Sequence, residues 1–268
     1  MPTEVIGDGL EDVLGQIGSD DDSDRLLVDP SPTMVEEITQ LLYSDNETIN
    51  ILAQQDTLKE ALSDFRIAAR AVDLIEEDRI DLRIVDQTLN NTLLLTPSSM
   101  ATLLRLDSRL NALVTTDEEL MERTRSMYQN LFADARSYDV HTPAYSEVQT
   151  SLREAINQEM EQDYIAALES SSSLDNPIDE VAIGVLVAAR NGELQYELSA
   201  WGEKIGIASR ATFSRTKSQL EDEDLITTEK VPIDVGRPRY RLQLENPQLS
   251  NIPVEEIGNA ARELIEDK

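Results

Sequence analysis

Ile205-Gly206-Ile207-Ala208-Ser209-Arg210 is an apolar turn in which a glycine able to end one helix is followed by a serine able to cap the next. Upstream of it, Tyr196–Lys204 is predicted as a short helix holding the only tryptophan, Trp201. Before that, Asp179–Ala189 reads as a nearly all-apolar helix (Val181, Ile183, Val185, Leu186, Val187) that stops at Asn191-Gly192. Downstream, a third helix is expected from Arg210 to about Glu223. Thr227–Val231 and Arg239–Leu244 then alternate as two strands, joined by residues 232–238.

Three helices and a hairpin in that order resemble a winged helix-turn-helix, whose third helix enters the major groove. With Phe213 set at the origin and 100° per residue, Thr216 and Leu220 fall within about 60° of it and form the expected buried stripe. Ala211, Ser214, Arg215 and Ser218 fall on the opposite face. Small residues there let a helix lie close to base edges, and the Arg215 fork matches the O6/N7 pair of guanine. Arg210 and Lys217 sit to one side, better placed for phosphates. The candidate DNA-contacting set is therefore Ser209, Arg210, Ala211, Thr212, Ser214, Arg215, Lys217 and Ser218, with Lys230, Arg237 and Arg239 at the wing.

Charge singles out the same segment. The chain has 53 acids against 23 bases, a net charge of −30. Residues 204–241 hold eight bases and six acids, so this window is +2 and the remainder −32. A duplex would be repelled by the rest of the chain and tolerate this patch. Excess carboxylate, only five lysines and 4% aromatic residues point to a protein working in near-saturated intracellular salt. There the Debye length is only about 3 Å, and self-repulsion is screened.

The segment ahead of this module alternates strands and helices. Leu26–Asp29, Thr48–Ala53, Asp81–Val85, Thr92–Thr96 and Ala112–Thr115 read as strands. Helices are expected from Pro30 to about Tyr43, from the Asp56 cap through Ile75, and from the Asp117 cap (Leu120, Thr124, Met127, Leu131) to about Tyr138. This predicts an α/β, Rossmann-like layer with a largely parallel sheet. Asp29, Ser31, Thr33 and Ser98-Ser99 lie where such sheets bind ligands, although ordinary helix caps explain them equally well.

Residues 144–168 read as one long helix whose row Val148, Leu152, Ile156, Met160, Tyr164, Leu168 drifts about 40° per step. Such a row suits a connector touching a partner subunit. The expected organisation is an acidic N-terminal segment (1–24), with a short helix (Leu10, Val13, Leu14, Ile17) ahead of an acidic connector, and an α/β sensing or dimerisation domain (25–140). A connector helix with a serine-rich joint (141–173), the winged helix (174–245) and an amphipathic C-terminal helix (246–268) with the apolar stripe Val254, Ile257, Ala261 and Leu264 follow.

Several chemistries are excluded. Zero cysteines remove disulfides, thiolate metal sites and cysteine nucleophiles, and a single histidine, His141, removes any two-histidine metal site. No phosphate loop or nucleophile elbow is present, so neither catalytic residues, metal nor cofactor are expected. Residues 1–25 carry eight acids and one Arg, unlike a signal peptide, and a cytoplasmic location is expected.

Taken together, Ile49–Ala53, the Leu58–Ile75 helix, Asp81-Leu-Arg-Ile-Val-Asp86, Thr92–Thr96 and Asn111–Asp117 ahead of the winged helix resemble the TrmB-suppressor (TbsP-like) regulators of haloarchaea. Their α/β half resembles a phospholipase-D-like effector layer. Catalytic members of that layer pair His with a Lys at fixed spacing, and no such Lys follows His141. The resemblance implies DNA-dependent control of central carbon metabolism. A homodimer on promoter DNA is expected on separate grounds, since a second winged helix one helical turn away multiplies specificity, with the Val148–Leu168 row and the C-terminal stripe as the pairing surface. A small-molecule metabolite is the candidate effector. The competing reading is an α/β enzyme whose winged helix serves only protein contacts; a winged helix used only as an assembly platform is the third.

Overall fold

The computed structural model describes residues 3–7, 9–17, 25–106, 109–170, 178–232 and 239–266. The chain divides into two compact units, Met1–His141 and Thr142–Lys268.

Unit 1 runs β1 (Thr3–Gly7), α1 (Leu10–Ile17), β2 (Leu26–Val28), α2 (Pro32–Ser44), β3 (Ile49–Ala53), α3 (Gln55–Ala61), α4 (Phe65–Glu76), β4 (Ile80–Ile84), β5 (Leu93–Leu95), β6 (Met100–Leu106), β7 (Arg109–Thr115), α5 (Glu118–Asp134) and β8 (Arg136–Ser137). The strands form one eight-stranded sheet in the order β1-β7-β6-β5-β2-β3-β4-β8. Among the described strands, β2–β3 and β3–β4 pair in parallel, joined through helices, and the other pairs are antiparallel. The largely parallel expectation is thereby corrected. Thr96-Pro-Ser-Ser99 is too short for a crossover and folds β6 straight back on β5, with Thr96 N–H donating to the Ser99 carbonyl at 2.9 Å.

Each sheet face has its own core. On one, Leu27, Ile51, Leu82, Leu94 and Leu110 pack under α1–α4. On the other, Leu26, Val28, Leu52, Leu93 and Leu95 meet α5 through Tyr128, Met121, Leu131 and Phe132. Of the 17 residues of α5, Tyr128 alone is fully buried. The expected inward stripe is turned aside, since Leu120 and Met127 are 47% and 56% exposed. Leu104, Leu106 and Leu113 on β6 and β7 are exposed as well.

Two further expectations are corrected here. Leu58–Ile75 is two helices, because Asp64 breaks the row and caps α4, accepting from the amides of Arg66 (2.7 Å) and Ile67 (3.4 Å). The N-terminal segment contributes β1, which pairs along β7; the acidic stretch 18–24 lies outside the described residues. Aspartates recur at such junctions. Asp117 caps α5, and Asp29 and Asp78 take left-handed backbone (φ 50° and 57°) after β2 and before β4. Asp29 also accepts from the Thr92 hydroxyl through its carbonyl (2.7 Å). Ser31 caps α2, and Ser99 is buried against Thr96; these are the ordinary structural roles.

Unit 2 runs α6 (Tyr145–Ala155), α7 (Gln158–Ser170), α8 (Glu180–Asn191), α9 (Gln195–Ile205), α10 (Arg210–Asp222), β9 (Ile226–Val231), β10 (Arg239–Leu244), α11 (Pro247–Ser250), a 3₁₀ turn (Val254–Glu256) and α12 (Ile257–Glu266). The long helix expected over 144–168 is thus broken. Asn157 caps α7 through the Met160 amide (2.8 Å), which lets one row turn onto one core. Val148, Leu152, Met160, Tyr164 and Leu168 are buried and Ile156 is half-buried, so most of this row packs within its own unit rather than offering a partner surface. Tyr164 stacks edge-on against Trp201 (5.8 Å), whose indole N–H donates to the Ser151 hydroxyl (2.9 Å). Burial holds the Tyr164 phenol well above its usual pKa. Of the C-terminal stripe, Ile257 and Ala261 are buried, with α12 against α7 and α8, while Val254 and Leu264 are half-buried. The serine-rich joint at 171–173 lies outside the described residues.

Candidate nucleic-acid interface

Local chemistry sets the geometry of α8, α9 and α10. Asp179 caps α8 through the Ala182 amide (2.8 Å), and Gly192 ends it in left-handed backbone (φ 69°). Gly206 (φ 85°) ends α9 in the same way, and Ile207 N–H returns to the Gly202 carbonyl at 2.9 Å. Ser209 then caps α10, accepting from the Thr212 amide at 3.1 Å. Gly202 matters for a different reason: a Cβ there would lie 2.4 Å from two ring carbons of Phe213. The bare backbone of α9 is what lets α10 sit so close.

The faces of α10 follow the angular reading. Phe213, Thr216 and Leu220 are buried, while Ala211, Ser214, Arg215 and Ser218 are exposed. The cations are sorted by their partners. Arg210 pairs with Glu203 (2.7 Å), Lys217 with Glu221 one turn on (2.6 Å), and Arg239 with Glu197 (3.1 Å). Arg215, Lys204 and Lys230 are exposed and make no ion pair among the described residues. Arg215 is therefore the cation of α10 left available on its small-residue face.

β9 and β10 form the antiparallel wing, with Lys230 opposite Tyr240 and Arg239 opposite Val231. Its tip, 233–238, which includes the predicted contact Arg237, lies outside the described residues. The wing root is tied to the start of α9: Leu194 bridges Arg241, Leu242 N–H donates to the Glu193 carbonyl (2.9 Å), and the Arg241 guanidinium donates to the Gly192 carbonyl (2.5 Å). This tie brings Arg239 over the ring of Tyr196 (4.6 Å), which Arg210 also approaches (5.4 Å). Sequence reading missed Tyr196, Glu197 and Glu203, because nothing local links position 196 to 210 and 239.

Among the described residues no group of three or more acidic or histidine side chains could hold a metal ion, and no helix is long and apolar enough to cross a membrane. His141, the last residue of unit 1, is exposed.

Residues 2–143 match the family model for the N-terminal part of TbsP-like transcriptional regulators, and residues 144–262 match the model for their C-terminal helix-turn-helix domain. Among solved structures, a phospholipase D family member, Nuc from Salmonella typhimurium, aligns with 52% of this chain and 99% of its own at 13% identity, with a TM-score of 0.35. Among curated proteins no match is found.

Proposed function

The chain belongs to the TbsP-like transcriptional regulators, and from that premise we propose that it reads promoter DNA with the exposed face of α10 in the cytoplasm of a halophilic archaeon. The observation that carries this reading is Arg215: an exposed cation without an ion pair among the described residues, flanked by Ala211, Ser214 and Ser218, in a chain of net charge −30. Small neighbours admit the helix to the groove, and the guanidinium supplies two donors to one base. Ser209, Thr212 and the wing cations Lys230, Arg237 and Arg239 position the helix on the backbone. Arg210 and Lys217 join them once their carboxylate partners are displaced.

Control of central carbon and sugar genes is the regulatory output that the haloarchaeal resemblance supports. Unit 1 then acts without catalysis, as a sensing layer for a small metabolite and as the dimerisation layer. A twin is needed to place two readers one helical turn apart, about 34–36 Å. Most of the Val148–Leu168 row, and Ile257 and Ala261 of the C-terminal stripe, are buried within unit 2, so the side chains that support pairing are the exposed Leu120 and Met127 of α5, Leu104 and Leu106 of β6 and Leu113 of β7.

Chromatin immunoprecipitation of wild-type and Arg215→Ala chains tests the reading. Promoter-centred occupancy that the substitution abolishes, with circular dichroism unchanged, is the expected result. Equal occupancy by both chains would remove Arg215 from the interface.

A further inference from the structure

Tyr196 stands in the first turn of α9, 49% exposed, and two guanidinium groups converge on its ring. One comes from the start of α10, the other from the root of the wing. Tyr196 and Glu203 are two turns apart and share a face of α9, so Glu203 reaches the same Arg210 that leans on the ring. Arg239 and Arg241 share a face of β10, and the Leu194–Arg241 bridge holds that strand beside the helix start. Glu197, next to Tyr196, takes Arg239. Two arginines far apart in sequence are thus pre-aimed by one aromatic surface, and each is occupied by a carboxylate.

We propose that this cluster is a gated clamp for the backbone phosphates of duplex DNA: Arg210 and Arg239 receive the phosphate oxygens, and Glu197 and Glu203 hold those sites closed in the free protein. The proposal rests on the DNA-binding reading above. A guanidinium lying on a ring keeps its edge N–H donors free, and that edge fits phosphate as it fits carboxylate. The exchange swaps one charge-assisted hydrogen bond for another. Both ion pairs are partly exposed, so they are weak and open as salt rises. Salt also screens the repulsion between a duplex and this acidic chain. Clamp and surface therefore become permissive together, and DNA is refused when ionic strength falls.

The test is fluorescence anisotropy of the full chain with a labelled duplex enriched from a random-sequence pool, at about 0.2 and 2.5 M potassium chloride. Releasing two exposed pairs predicts that Glu197→Gln with Glu203→Gln tightens binding about five-fold at the lower salt and leaves it nearly unchanged at the higher. In an Arg239→Ala background, Glu197→Gln should add nothing, since it acts through that arginine. A gain that persists there reports loss of negative charge alone and overturns the clamp. Tyr196→Phe should bind as wild type and Tyr196→Ala more weakly at both salts; equal binding by all three also overturns it. Absence of any gain from the Gln pair, in a wild type that binds, removes the clamp and leaves the DNA-binding reading standing. A wild type that binds no duplex at either salt removes both.

Discussion

Replacing Gly202 by alanine should damage the reading module through one contact. The added methyl would meet two Phe213 ring carbons at 2.4 Å, whereas carbon atoms settle at about 3.5–4.0 Å. The ring must retreat by more than about 1 Å, and Phe213 is buried, with only 1% of its surface exposed. Overpacking of this kind costs about 1–3 kcal/mol, and the better helix propensity of alanine returns about 0.8–1 kcal/mol. The net loss should reach up to about 2 kcal/mol, confined to unit 2. Trp201 is the only tryptophan and is packed between Tyr164 and Ser151 in that unit. Its fluorescence during urea unfolding in molar potassium chloride therefore reports unit 2. Gly202→Ala with Phe213→Leu should lose less than the two single losses combined, because the shorter side chain vacates the space the methyl needs. An alanine variant as stable as wild type, or strictly additive losses, would refute the packing argument.

Three other outcomes are expected. Wild-type affinity for an enriched duplex should rise between about 0.2 and 2.5 M potassium chloride before levelling off, as screening relieves repulsion; steady weakening of a folded protein by anisotropy would show phosphate attraction to dominate. Light scattering should give twice 30.0 kDa for wild type, and Leu120→Glu with Met127→Glu should return it to one chain; a wild type at 30.0 kDa refutes the dimer, and a dimeric variant refutes pairing through α5. Burial, with the neighbouring Asp73 carboxylate 3.0 Å away, pushes the Tyr43 phenol up from 10.0 to about 12. A raised folded-state pKa means this stability is intact below pH 10 and lost as pH climbs towards 12. Melting followed by circular dichroism should fall less steeply over that range in Tyr43→Phe, and an identical slope would contradict the linkage.

The winged helix was legible because its punctuation is local. Gly192, Gly206, Asp179 and Ser209 each stop or start a helix by their own backbone or side-chain chemistry, whatever surrounds them. The breaks at Asp64 and Asn157 were not, since the apolar period runs on through both and only packing decides that the row must turn. In α5 the residues at 120, 124, 127 and 131 and those at 121, 128 and 132 make two rows at helical spacing. Period alone cannot say which row the sheet covers; the sheet takes the second together with Leu131, and leaves Leu120 and Met127 exposed. The parallel expectation failed where a four-residue link replaced a crossover helix. The buried and exposed faces of α10 were foreseen by angle, but the carboxylates that occupy Arg210 and Lys217 depend on where α9 and the next helical turn project.

The aspartates at helix starts and left-handed turns bear on any attempt to rebuild this protein for dilute buffer. Asp64, Asp117 and Asp179 each accept backbone N–H groups, and Asp29, Asp78 and Asp224 sit at φ between 50° and 57°. Lysine or alanine at the first three forfeits a cap worth about 1 kcal/mol, and at the other three meets a backbone strain of about 1–2 kcal/mol. Six such changes would consume as much as the whole stability of a typical domain, about 5–15 kcal/mol. Asparagine keeps both the capping oxygen and the tolerance for left-handed backbone while shedding the charge. A redesign for low ionic strength must therefore spare these six positions or neutralise them only as amides, and take its charge reversals from carboxylates on open helix faces.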